Sequence, residues 1–116
     1  MGTKTKENGA KMKSVLLEFS MFPTDVGESK SEYVSKIIEM VRESGVSYKL
    51  TPMSTVIETQ SVKEALEIVE KSYNILEVTG VKRVYSVLKF DIRMGKEDRL
   101  VEKIKSVEEK IGEVNK

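Results

Sequence analysis

The chain has 116 residues, 34% charged and 39% hydrophobic, enough for one domain around one modest core. It has neither Cys nor His, which excludes disulfides, thiolate nucleophiles, Cys-type zinc sites and imidazole acid–base chemistry. Its 20 Lys and Arg against 19 Asp and Glu leave a net charge of +1, without the basic excess of a nucleic-acid binder, and no apolar run reaches the roughly 18 to 20 residues of a membrane span.

Residues 1–12 read as a disordered leader or tag, polar and Lys-rich with no apolar period, ahead of a single domain over 13–116. Deleting Met1 to Lys11 is therefore expected to leave the melting temperature and any ligand binding unchanged. A loss of several degrees on deletion would show that the leader packs. Ser14 to Phe22 is the first predicted strand, with Val15, Leu17, Phe19 and Met21 on one face and Leu16, Glu18, Ser20 and Phe22 on the other. Pro23 to Glu28 is a loop. Ser29 and Glu32 then form a capping box, and Val34, Ile37, Ile38 and Val41 repeat at helical spacing up to Gly45.

Two short β-prone runs follow, Val46 to Thr51 and Ser54 to Thr59, joined at a Pro52-Met53 corner. Pro52 has no backbone donor and pushes Thr51 toward an extended conformation, so the runs pair as an antiparallel hairpin. Ser61 and Glu64 form a second capping box, before a stripe of Val62, Ala65, Leu66, Val69, Tyr73 and Leu76 that ends near Gly80. Val84 to Arg93 alternates as the last strand. After Gly95 comes a third helix, with Leu100, Ile104, Val107, Ile111 and Val114 as a narrow seam that calls for a partner.

The order β-α-β-β-α-β-α predicts an α+β, ferredoxin-like fold: a four-stranded antiparallel sheet, two helices on one face, and a C-terminal third helix. The other face stays open. It is expected to present Leu16, Glu18 and Ser20, then Tyr85, Val87, Lys89 and Asp91, with Ser47, Lys49 and Thr51 from the second strand and Ser54, Val56 and Glu58 from the third. That strand's parity is ambiguous, because Thr55, Ile57 and Thr59 fit outward nearly as well. So mixed a surface predicts cover by another subunit. Glu18 and Glu58 fall near each other on adjacent central strands. Either Lys49 and Lys89 answer them in a charge ladder, the plainer reading, or they await a cationic ligand and one of them titrates high.

The hairpin string YKLTPMSTVIE, together with LLEFSMFP before it and GVKRVYSVLKFDIR after it, resembles the small thiamine-binding-protein family. The likeness runs from Lys13 to Gly112 and includes SEYV at the start of the first helix. The family usually has Gly where this chain has Ser54, and often Gly at Thr59 or Gln60. The resemblance implies a cytoplasmic, non-enzymatic protein assembled as a dimer or tetramer through its sheets. It also implies a ligand built from a thiazolium and an aminopyrimidine, thiamine or its hydroxymethylpyrimidine part, a chemistry that fits the open, oligomer-covered face of the sheet. Carried onto this sequence, the ligand-binding positions are Ser20, Thr51, Thr55 and Glu58, then Glu18 and Asp91, with Met53 or Tyr85 as an apolar wall. No metal, cofactor, nucleic acid or membrane is implied.

Two other readings compete. One is a structural or regulatory homo-oligomer with no ligand. The other is an enzyme using Glu18 and Glu58 as an acid–base pair, which no further motif supports. Nucleic-acid recognition through the sheet would need exposed aromatics on the central strands, where this chain has Glu and Ser.

Overall fold

The structure, a computed structural model, describes residues 12–27 and 30–116. The leader up to Lys11 and the Ser29 of the first capping box lie outside the described residues. Seven elements follow in the expected order: β1 (Lys13–Pro23), α1 (Ser31–Ser44), β2 (Ser47–Leu50), β3 (Thr55–Thr59), α2 (Val62–Glu77), β4 (Val84–Met94) and α3 (Arg99–Ile111). The strands form one antiparallel sheet in the order β2-β3-β1-β4, with β1 and β3 central, as a ferredoxin-like chain requires.

Alternation decides the faces. Val15, Leu17, Phe19 and Met21 of β1 and Ile57 of β3 are buried beneath Ile37 and Val41 of α1 and Ala65, Ile68 and Leu76 of α2. The ambiguity on β3 is resolved the same way: Thr55, Ile57 and Thr59 point toward the helices, while Val56 and Glu58 share the opposite face with Leu16 and Glu18. Local signals hold the ends. The Ser61 hydroxyl accepts from the Glu64 amide (3.1 Å), and the Glu64 carboxylate reaches back to the Gln60 amide, one residue before the usual partner (3.0 Å). Gly45 closes α1 at φ 85°, a left-handed conformation that disfavours a side chain.

Two helices depart from the sequence reading. On α2 the buried row is Ala65, Ile68, Ser72 and Leu76, whereas Leu66 and Tyr73 are exposed. A serine can occupy that row because its hydroxyl donates to the Ile68 carbonyl at 2.7 Å. The seam of α3 does not wait wholly for another subunit either. The helix packs over β2 and β3 on the otherwise open face, leaving Leu100 and Ile104 half-buried and Val107 and Ile111 exposed.

One strand stays bare. On β4, Leu88, Phe90 and Ile92 pair with the buried Phe19, Leu17 and Val15, yet remain 40%, 39% and 48% exposed because neither α1 nor α2 reaches across to them.

Candidate functional site

β1 pairs with β3 only as far as Phe19, opposite Thr55, but continues along β4 to Pro23. From Ser20 to Phe22 it therefore has a strand on one edge only. Beside that free edge, between the hairpin and α1, lies a cavity of about 280 Å³. This is near the lower end of the range for small-molecule pockets, about 300 to 1,000 Å³. Val34, Ile37 and Ile38 of α1 form one wall, Leu50, Pro52 and Met53 another, and Phe19 and Met21 the floor.

Four of the seven site positions proposed from sequence come together here: Ser20, Thr51, Met53 and Thr55 all line the cavity. Their states differ. Thr51 is taken up by the hairpin. Its hydroxyl accepts from the Met53 and Ser54 amides (3.2 and 3.0 Å) and donates to the Ser54 carbonyl (3.0 Å). Met53 sits at the tip, 88% exposed. Thr55 is 6% exposed, and its hydroxyl makes no hydrogen bond to any described residue. A buried polar group left unpaired costs free energy, and among the described residues this hydroxyl is such a group. The Ser20 hydroxyl is likewise without a partner among the described residues.

The other three positions, Glu18, Glu58 and Asp91, belong to the far side of the sheet. Glu18 lies opposite Val56 and Glu58 opposite Leu16, so the carboxylates share a face but are offset by one pair of residues. Each has its own donors. The Ser54 hydroxyl donates to Glu18 at 2.7 Å and the Lys89 ammonium lies 3.4 Å away; these two hold the Glu18 carboxyl below its usual range. Burial is the largest single influence on Glu58 and pushes it up, but the opposing contacts together leave it lowered: the Ser14 hydroxyl (2.6 Å), the Arg99 and Leu100 amides (3.0 and 3.2 Å) and the Arg99 charge. The expectation that one of the pair titrates high is thus overturned. Neither carboxylate depends on a ligand for its counter-charge.

Glu58 in fact caps a helix from another element. Asp98, the residue before α3, is left-handed (φ 56°) and makes no side-chain cap, so the first amides of α3 turn to Glu58. Arg99 completes the lock: its guanidinium donates to the Ser14 hydroxyl at 2.7 Å and pairs with Asp91 at 3.0 Å. Asp91 is therefore part of the α3 anchor.

Lys30 and the α1 wall were missed as site residues. Val34, Ile37 and Ile38 were legible as a helix stripe, but nothing local indicated that part of the stripe faces a void. Lys30 had no periodic signal at all. Its ammonium lies 6.0 Å from the centroid of the Phe22 ring, and the Phe22 and Tyr85 rings are 5.8 Å apart. Tyr85 itself is not among the cavity-lining residues.

Comparisons with known proteins agree with this architecture. Residues 17–108 match the family model described as Thiamine-binding protein. A UPF0045 protein of Mycobacterium bovis is 36% identical over 95 residues, covering 82% of this chain and 92% of that protein. The crystal structure of a hypothetical protein from Methanocaldococcus jannaschii superposes with a TM-score of 0.70 at 33% identity, covering 83% of this chain and 97% of that one. A Bacillus cereus domain of unknown function gives 0.69 at 26% identity, covering 84% and 92%.

Proposed function

Because the chain belongs to this thiamine-binding-protein family, we propose that it binds thiamine or its hydroxymethylpyrimidine part in the cavity between the hairpin and α1, without catalysing a reaction. The observation that supports this most is the Thr55 hydroxyl beside the free edge of β1, on a buried residue and without a partner among the described residues. An aminopyrimidine is flat and has alternating donors and acceptors along its rim. A strand edge offers the same alternation, and the apolar walls would hold the ring's faces. The absence of His and Cys, and the lack of a carboxylate among the described residues that line the cavity, leave little with which to move protons.

Calorimetry and thermal melts with both ligands test this. At about 100 times its dissociation constant, a true ligand stabilises the fold by about 2.7 kcal/mol. Thr55→Val keeps the side chain's volume and removes the hydroxyl. The unliganded protein is expected to hold or gain stability, while affinity drops about three- to tenfold, the worth of one neutral hydrogen bond. Lost stability with unchanged affinity would make the hydroxyl structural.

Self-association and a cytoplasmic location belong to the same proposal. Leu88, Phe90 and Ile92 on the unpaired edge strand, with Leu66 and Tyr73 on the outside of α2, favour a second copy as the cover. This surface also supports the rival reading of a ligand-free oligomer, which predicts no stabilisation by either compound. Among the described residues, no helix is long and apolar enough to cross a membrane.

A further inference from the structure

We infer that Ser54 is a positioning residue for the cavity, and that the affinity of the site answers to Glu18, a carboxylate on the opposite face of the sheet. This rests on the binding role proposed above and concerns what holds its site in shape. One wall of the cavity is the hairpin tip, Leu50 to Ser54. The tip lies past the last pair between β1 and β3, Phe19 with Thr55, so strand pairing does not fix it to β1. Packing does little either, since Leu50 and Met53 are exposed. The Thr51 hydroxyl and amide bond within the tip, to the Met53 and Ser54 amides and the Ser54 carbonyl. Among the described residues, the hydrogen bond that ties residues 51–54 to another element is that of the Ser54 hydroxyl, which donates to the Glu18 carboxylate at 2.7 Å.

Register accounts for the tie. Glu18 lies opposite Val56, so Ser54, two residues earlier, shares its face as a diagonal neighbour. On its other side Glu18 lies opposite Lys89 of β4, whose ammonium is 3.4 Å away. The acceptor is thus held from both sides, and the tie runs from the tip through β1 to β4. Glu18 is not among the described residues that line the cavity, so it acts on the site through Ser54. A bond to a carboxylate is roughly twice as strong as a neutral one, although the partial exposure of Glu18 trims that advantage. Without the tie, the tip is in place for only a fraction of the time, and apparent affinity falls by that fraction.

The test is isothermal titration of the full chain with the uncharged hydroxymethylpyrimidine and with thiamine. Ser54→Ala and Glu18→Ala, each checked for a cooperative melt, are expected to weaken both compounds by about the same factor, roughly three- to tenfold. The double variant should bind no more weakly than either single one, because both changes remove the same bond. Ser54→Thr keeps a hydroxyl and should restore the parent affinity. In the unliganded protein, the Met53 and Ser54 amides should exchange faster in both alanine variants. Unchanged affinities in Glu18→Ala would overturn the inference, since Ser54 would then act by direct contact or not at all. So would a loss confined to thiamine, which would make Glu18 a charge partner of the thiazolium, or losses that add in the double variant. Each of these results leaves the binding role standing. No heat from either compound with the parent chain would overturn the binding role, and this inference with it.

Discussion

Glu58→Ala is expected to free the N-terminus of α3 and cost about 2 kcal/mol at neutral pH. The carboxylate accepts from the Arg99 and Leu100 amides and from the buried Ser14 hydroxyl, and charge-assisted bonds of this kind contribute about 1.5 to 3 kcal/mol. Removing it leaves those donors without their acceptor and takes away a negative charge near Arg99. Hydrogen exchange in α3 should accelerate, while the amides of β1 and β3 stay protected. The sign with pH follows from the lowered Glu58 pKa. A carboxyl that ionises more easily folded than unfolded contributes its stability above the unfolded value, about 4.3, and loses it as pH falls through the lower folded value. The difference in melting temperature between the parent protein and Glu58→Ala should therefore be full at pH 7 and shrink below about pH 4. Acid sensitivity of the parent alone would not identify the residue, because Glu18, Asp25 and Glu108 are lowered too and share that sign. If the variant is as stable as the parent at pH 7, or more stable, Glu58 is not the cap, and relief of repulsion from Glu18 becomes the better account.

Phe90→Lys is expected to convert a dimer or larger assembly into a folded monomer. Phe90 stands on the helix side of β4, aligned with the buried Leu17 but 39% exposed, at the centre of the Leu88-Phe90-Ile92 row. An edge strand of 11 residues with an apolar row offers backbone donors and acceptors together with greasy contact area, which is how β-sheets join between copies. A central aromatic at such a contact is typically worth about 2 kcal/mol or more, so association should weaken on the order of 30-fold. Sedimentation velocity across micromolar concentrations reads this directly, and circular dichroism shows whether the variant is still folded. Ile92→Lys, at a more exposed position, serves as the second variant in case Phe90→Lys unfolds. An unmodified chain that sediments only as a monomer would remove the claim.

The amino-acid order by itself determined the elements and their sequence. Its signals there are local: the two-residue alternation of Val15, Leu17, Phe19 and Met21, the Ser61–Glu64 cap, the corner at Pro52, the stop at Gly45. Those contacts span a few residues, so they are legible without knowing what lies opposite. The order β-α-β-β-α-β with right-handed crossovers then leaves little freedom for the sheet. Ser20, Thr51, Met53 and Thr55, carried over from the family resemblance for a ligand on the open face of the sheet, line instead a cavity between the hairpin and α1.

Tertiary structure decided the rest, for reasons of distance and of degeneracy. On α2 two neighbouring apolar rows have the same period, and only packing against the sheet chose Ala65, Ile68 and Leu76 over Leu66 and Tyr73. Thr55 is an ordinary strand residue in one dimension. It became an unpaired hydroxyl facing a void because β1 runs past the end of β3 at that point. Glu58 looked like half of a repelling pair with Glu18, yet its partners are amides 41 and 42 residues further along the chain. No periodicity encodes such a meeting. A carboxylate's charge state and role follow from which donors the fold brings within 3 Å or so, and those donors came from α3.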